Sequence, residues 1–98
     1  MLLFDWDDAN RDHLALHGIS MAEAEHAMLH EPYEIEIQYH EGDSQRITYI
    51  GETDPGRILI VLITWRDELM RIITAWDAPK TPKKQYLARK AADHGIET

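Results

Sequence analysis

The spacing of apolar residues changes once along this chain, and that change sets the fold class. Before Pro32 they recur near every fourth position, the mark of helices with one buried face. After Pro32, Tyr33, Ile35, Ile37 and Tyr39 alternate with Glu34, Glu36, Gln38 and His40, which reads as a half-buried strand with one wet face. Helices first, then strands, give an α+β chain.

Local signals divide it further. A first helix is expected over about 8–17, with Asp5, Asp7 and Asp8 placing negative charge at its positive end and Gly18 closing it in a left-handed turn. Ser20-Met21-Ala22-Glu23 is a capping box opening a second helix, with Ile19 and Ala24 at the staple positions, and Pro32 stops it after about His30. Glu41-Gly42-Asp43-Ser44 is a turn into a strand from Gln45 to Glu52, and Asp54-Pro55-Gly56 is another. Arg57 to Trp65 is apolar on both parities, so it should be the central, most buried strand. Arg66-Asp67-Glu68 turns into a fourth strand, Leu69 to Trp76. Thr81 as N-cap and Pro82 as first helical residue predict a third helix to about Asp93, with Gly95 past its end. Short connections favour a four-stranded antiparallel meander, with the helices gathered on one of its faces.

The 98 residues suit one domain, 1–98, with one modest core. There is no cysteine, hence neither a disulfide nor a thiolate metal site, which suits a reducing compartment. The longest apolar run, Ile58 to Ile63, falls far short of the ~20 residues of a membrane span. Met1-Leu2-Leu3-Phe4-Asp5 lacks the basic start of a signal peptide, so a cytoplasmic location is expected.

A net charge of −8 argues against nucleic acid, but its distribution does not. Residues 1–45 carry eleven acids and one base, residues 46–98 seven acids and nine bases. Lys80, Lys83, Lys84, Arg89 and Lys90 lie in a stretch without an acid. That is either a solvated helix face or a surface for RNA phosphate or an acidic partner.

Most enzyme classes leave no trace. His13 and His17, and His26 and His30, sit four apart, yet no third ligand stands at a standard spacing, so no metal or other cofactor is expected. No nucleophile elbow, P-loop or dinucleotide fingerprint is present. Glu34 and Glu36 share a strand face as a carboxylate pair but read as solvated charges. Trp6, Trp65 and Trp76 read as core or face-capping residues, and Tyr86 either packs helix to sheet, stacks a base or donates a proton. The strand arginines say more. Arg46, Arg57, Arg66 and Arg71 lie among apolar residues on or beside strands, and a planar guanidinium suits phosphate and the charge that develops on it. Arg46 and Arg66 stand at even positions and Arg57 and Arg71 at odd ones, so, bulges aside, they need not share one face.

In order and spacing these residues resemble the BrnT toxins, a family with a RelE-like fold. The likeness runs over about residues 4–86: Phe4-Asp5-Trp6-Asp7, Asn10, His17-Gly18-Ile19-Ser20, Glu23-Ala24, Glu31-Pro32, Arg46, Ile50-Gly51-Glu52-Thr53, Gly56-Arg57, Val61, Thr64-Trp65-Arg66, Arg71-Ile72-Ile73-Thr74-Ala75 and Tyr86. The resemblance implies a metal-independent endoribonuclease that halts translation and is silenced by a BrnA-like ribbon-helix-helix antitoxin, as a heterotetramer with it; exposed edge strands also allow a homodimer. By that analogy Arg46, Arg66 and Tyr86 are the catalytic candidates. Arg57, Arg71, Lys80, Lys83 and Lys84 are the RNA-binding ones. Trp76 stands where the family has an arginine, Pro82 where it has a glutamate, and Gln45 where an acid precedes the strand-two arginine. Loss of one charge-stabilising donor costs about 10²–10³ in rate. The competing expectation is therefore a catalytically degenerate protein-binding module of the same fold.

Overall fold

The computed structural model describes residues 3–39, 45–54 and 56–95. The Glu41-Gly42-Asp43-Ser44 turn lies outside them, as does Pro55 of the following turn. The elements are α1 (Asp8–Leu16), α2 (Met21–Leu29), β1 (Tyr33–Tyr39), β2 (Gln45–Glu52), β3 (Ile58–Arg66), β4 (Leu69–Asp77) and α3 (Lys80–Asp93). The strands form one antiparallel sheet in the order β1-β2-β3-β4, the expected meander.

Both N-terminal helices begin with capping boxes. Ser20 Oγ accepts from the Glu23 amide at 3.1 Å and Glu23 accepts from the Ser20 amide at 3.0 Å, as its sequence signature requires. At α1 the same device is built from Asp7 and Asn10, so Asp7 is a hydrogen-bonding cap as well as a charge at the helix end. Gly18 closes α1 with φ +67° and Gly95 follows α3 with φ +69°. The third helix starts two residues before its expected first residue. Pro79 is its N-cap and Pro82 lies in its first turn, where an absent N–H costs no helical hydrogen bond. Asp67 and Glu68, both at positive φ, make the two-residue hairpin joining β3 and β4.

The helices do not gather on one face. Alternation in β3 sends Leu59, Val61 and Ile63 toward α1 and α2, where they pack with Leu14, Ala27 and Ile72. It sends Ile58 and Ile60 to the opposite face, where with Ile50 they meet Tyr86 of α3. Tyr86 gives α3 its buried residue, and one aromatic anchor is too faint a periodic signal to assign a helix to a face. Trp6 and Trp76 pack against these two cores, whereas Trp65 stands 45% exposed near the tip of the β3–β4 hairpin.

Two register shifts redirect side chains. One in β1, between Glu34 and Glu36, makes Ile35 an extra residue. Tyr33 therefore pairs with Ile50 over the α3 face while Ile37 pairs with Ile47 over the other, and the expected single apolar face of β1 is split. The same bulge separates the Glu34–Glu36 pair. The second shift, in β4, sets Leu62 opposite Thr74 but Ile63 opposite Ile72. It leaves Ile73 as the extra residue and carries Arg71 to the face of Arg66. Residues 3–5 run along the outer edge of β4, with the Asp5 amide donating to Met70 at 2.9 Å and the Met70 amide to Leu3 at 3.0 Å.

Candidate functional site

The face of the sheet that carries α3 holds a groove of about 540 Å³. Tyr33, Glu34 and Ile35 of β1 border one wall, with Tyr33 on the α3 face of the sheet and Glu34, opposite Tyr49, directed to the other. Ile50 and Ile60 are part of the floor. Pro82, Gln85 and Arg89 recur at helical spacing and make the wall on α3, with Tyr86 beneath and Trp76 at the β4 end.

The C-terminal turns of α3 are fastened to the start of β1. Tyr33 donates its hydroxyl hydrogen to Asp93 at 2.7 Å, and that contact with a carboxylate pushes the phenol up to about 12. The Arg89 guanidinium lies 4.0 Å from the centroid of the Tyr33 ring. His94 Nε2 is 2.6 Å from the Glu31 carboxylate. Lys90 donates to the Tyr86 hydroxyl at 3.1 Å, which together with nearby Glu52 raises the lysine above its ordinary range. The groove is thus framed by fixed elements.

The arginines expected to hold phosphate have diverse fates. Arg57 grips both oxygens of Asp77 at 2.6 and 2.8 Å, and donates to the Gly18 carbonyl at 2.9 Å and Glu23 at 3.2 Å. Its guanidinium is raised, first by Asp77, and it holds the Asp77 carboxyl below the ordinary range. Arg66 donates from Nε and Nη2 to one oxygen of Asp5 at 2.8 and 2.7 Å. Arg71 bonds Asp7 at 3.1 Å with Nη2 and lies 3.6 Å from Asp5 with Nη1, so Asp5 is shared by two guanidiniums. Arg46, exposed and opposite Gln38, makes no ion pair among the described residues. Lys80, Lys83 and Lys84 are exposed along α3, also without ion pairs among them.

Arg46, Arg66 and Arg71 share the α3 face by register, but at its uncovered end. Tyr86 packs on Ile60 and Ile58, and the run from Ile60 to Arg66 spans ~20 Å at the rise of a strand. Tyr86 and Arg66 are therefore not parts of one centre. Arg57 faces α1 and α2, away from both. Sequence reasoning passed over Tyr33, Glu34 and Gln85 as groove residues. The spacing of Gln85 and Arg89 four apart was a usable signal; that β1 gives Tyr33 to the groove and Ile37 to the other face was not, because it depends on a bulge without a local sequence mark. Neither histidine pair belongs to a cluster of three or more metal-ligating side chains among the described residues. Each of His26 and His30 instead places Nδ1 at a backbone carbonyl, Glu52 and His26 respectively. No described helix is long and apolar enough to cross a membrane.

No curated protein and no solved structure matches this chain. A family pattern does: the one described as "Ribonuclease toxin, BrnT, of type II toxin-antitoxin system" matches residues 6–81. That span takes in α1, α2, the whole sheet, Trp76 and the first residues of α3. The chain belongs to the BrnT family of ribonuclease toxins of type II toxin–antitoxin systems.

Proposed function

We propose that RNA lies along the groove between α3 and the sheet as a single strand, and that this chain cuts it without a metal. The carrying observation is the union of an aromatic-lined groove with a helix bearing Lys80, Lys83, Lys84 and Arg89 on its exposed surface. Aromatic faces stack bases of any kind, and cations beside them follow the backbone. Cleavage takes the route open to RNA alone. The 2′-oxygen attacks the neighbouring phosphorus, its proton passes to solvent, the bond to the 5′-oxygen breaks, and that oxygen takes a proton. Tyr86, with the Lys90 ammonium on its hydroxyl, is the donor nearest this path. Arg46 and Arg66 hold phosphates further along the same face, with Arg66 exchanging Asp5 for the RNA. Arg71 supports Arg66 from beside it, and Arg57 acts through the fold.

The partner is a BrnA-like ribbon-helix-helix antitoxin that silences the toxin by covering the sheet and α3. An adjacent open reading frame encoding such a protein is the expected genomic setting.

The test is incubation of the purified chain with single-stranded RNA in excess EDTA. Cleavage is expected, and Lys83→Ala with Lys84→Ala should slow it about tenfold or more under subsaturating RNA. Intact RNA, with unimpaired growth on high expression, would count decisively against cutting.

A second reading is favoured by Trp76 and Pro82, which stand in the groove where the family resemblance has an arginine and a glutamate. In it the groove docks protein rather than cutting RNA. Trp76→Arg then yields no cleavage, whereas a large gain identifies a weakened nuclease.

A further inference from the structure

Two arginines on the α3 face of the sheet share an anion that the chain itself supplies. Asp5 Oδ2 accepts from Arg66 Nε at 2.8 Å and Nη2 at 2.7 Å, and Arg71 Nη1 stands 3.6 Å from the same oxygen. The arginine pair on the other face is built differently. Arg57 meets both oxygens of Asp77 with Nε and Nη2, the two-oxygen match that a guanidinium fork makes with a carboxylate or a phosphate. Arg66 meets one oxygen with both nitrogens, and Arg71 Nη1 is buried without a hydrogen-bond partner among the described residues. The Asp5 carboxylate thus leaves donor capacity unused, and a buried donor left open is costly. Arg66 is 55% exposed, so an anion from solution reaches it. The backbone of Asp5 is pinned independently of its side chain: the amide donates to Met70 at 2.9 Å and the carbonyl accepts from Asn10 at 2.9 Å. The carboxylate can therefore swing to another rotamer while the segment stays on the edge of β4.

Resting on the reading of this face as an RNA path, we propose that Asp5 is an autoinhibitory gate on a phosphodiester seat formed by Arg66 and Arg71. In the closed state its carboxylate stands where a phosphate oxygen would sit. In the open state the two non-bridging oxygens of a backbone phosphate take the Arg66 fork and Arg71 Nη1, and the carboxylate turns to solvent. Asp7 keeps Arg71 in place through Nη2. Opening exchanges one ion pair for another, so an isolated phosphate gains little from it. A strand already held elsewhere on the face presents its phosphate at high local concentration, and the seat engages it.

The experiment titrates the full chain into a fluorescently labelled dodecamer of 2′-O-methyluridine, which cannot be cut, and reads anisotropy. Asp5→Asn keeps the shape of the side chain without its charge and should tighten binding about tenfold, the scale of a hydrogen bond to a charged group. Asp5→Ala should do the same. Asp77→Asn strips the same charge from Arg57 on the other face and should not tighten binding, which separates the gate from a general fall in negative charge. The Arg66 Nε–H resonance, assigned through Arg66→Lys, reports the seat directly and should shift when the dodecamer binds the parent. If both Asp5 variants bind no tighter than the parent, the gate is overturned and the RNA path stands. Equal tightening in Asp77→Asn overturns it as well. An Arg66 signal unmoved by saturating dodecamer in the parent overturns the seat, whether or not the variants fold. Failure of the dodecamer to bind parent and variants alike overturns the path and the gate together.

Discussion

At the scale of single residues, the buried polar groups serve the frame of the site. Asn10, 3% exposed, donates to the Asp5 carbonyl at 2.9 Å and the Ile72 carbonyl at 3.0 Å, and accepts from the Asp7 amide at 2.8 Å. One amide thereby joins the N-terminal segment, α1 and β4, and it orients the two acids that hold Arg66 and Arg71. Its place in the family resemblance follows from this geometry. Asn10→Asp would set a carboxylate against two carbonyls, a loss of about 3 kcal/mol in chemical denaturation. A change below about 0.5 kcal/mol would show that the joint is dispensable. Arg57 is the second such residue. Arg57→Ala frees Asp77 and Glu23 from their cation and should cost about 2 kcal/mol, the scale of hydrogen bonds to charged groups. Asp77 is held below the ordinary carboxylate range by Arg57, and Glu23 by the Ser20 amide and then Arg57. Depressed folded values mean stability that is present above the unfolded values near pH 4 and lost as pH falls through the folded ones. Arg57→Ala should therefore flatten the fall in thermal midpoint on acidification below about pH 4, while lowering the midpoint at neutral pH. An acid slope as steep as the parent's would remove Arg57 from this account.

At the scale of elements, closeness of backbone decides more than side-chain chemistry. Gly51 of β2 faces α2 so closely that an added Cβ would lie 2.5 Å from the Ala27 carbonyl oxygen. The helix backbone cannot recede without opening the core around Ala27, Ala24 and Leu14. Gly51→Ala should cost about 2–3 kcal/mol, the range of an overpacked core, seen as a lower denaturation midpoint. Gly51→Ser should be no better. A neutral Gly51→Ala would mean that α2 slides freely over the sheet. These close approaches mark the boundary of what was legible from sequence. The Ser20–Glu23 box, the Pro32 stop, the all-apolar β3 and the meander were readable because each depends on residues near in sequence. The Asp7–Asn10 box was half read, since its acids suggested charge and not a reciprocal cap. The bulges at Ile35 and Ile73 were not readable: a register shift depends on the partner strand, and neither carries the glycine that advertises one. Yet these bulges split β1 between the two faces of the sheet and bring Arg71 to the side of Arg66. The site was consequently less legible than the fold.

At the scale of the whole molecule, net charge and local charge pull in opposite directions. The net value is −8, and the N-terminal half carries most of the acid. Asp5, Asp7 and Glu23 belong to that half, and they engage Arg66, Arg71 and Arg57 of the other. The strand arginines are thus largely consumed in joining the two halves, whereas Lys80, Lys83 and Lys84 of α3 make no ion pair among the described residues. Phosphate contacts release counterions, and for single strands the logarithmic salt slope is about −0.7 per phosphate neutralised. Three contacts, from Lys80, Lys83 and Lys84, give a slope on the order of −2. Lys83→Ala with Lys84→Ala should make it shallower by about 1.4, whereas Arg57→Ala, which acts through the fold, should leave it unchanged. Binding of uncut 2′-O-methyl RNA measured from 50 to 200 mM salt, in variants first shown to be folded, separates the two classes. The acidic half meanwhile repels RNA at a distance, and salt screens that repulsion over about 10 Å. Association should therefore be slow for a charged pair, and the salt dependence should reside mainly in dissociation. If the Arg57 variant flattens the slope and the lysine pair does not, the anion path runs on the α1–α2 side of the sheet, and the groove beneath α3 is not where RNA lies.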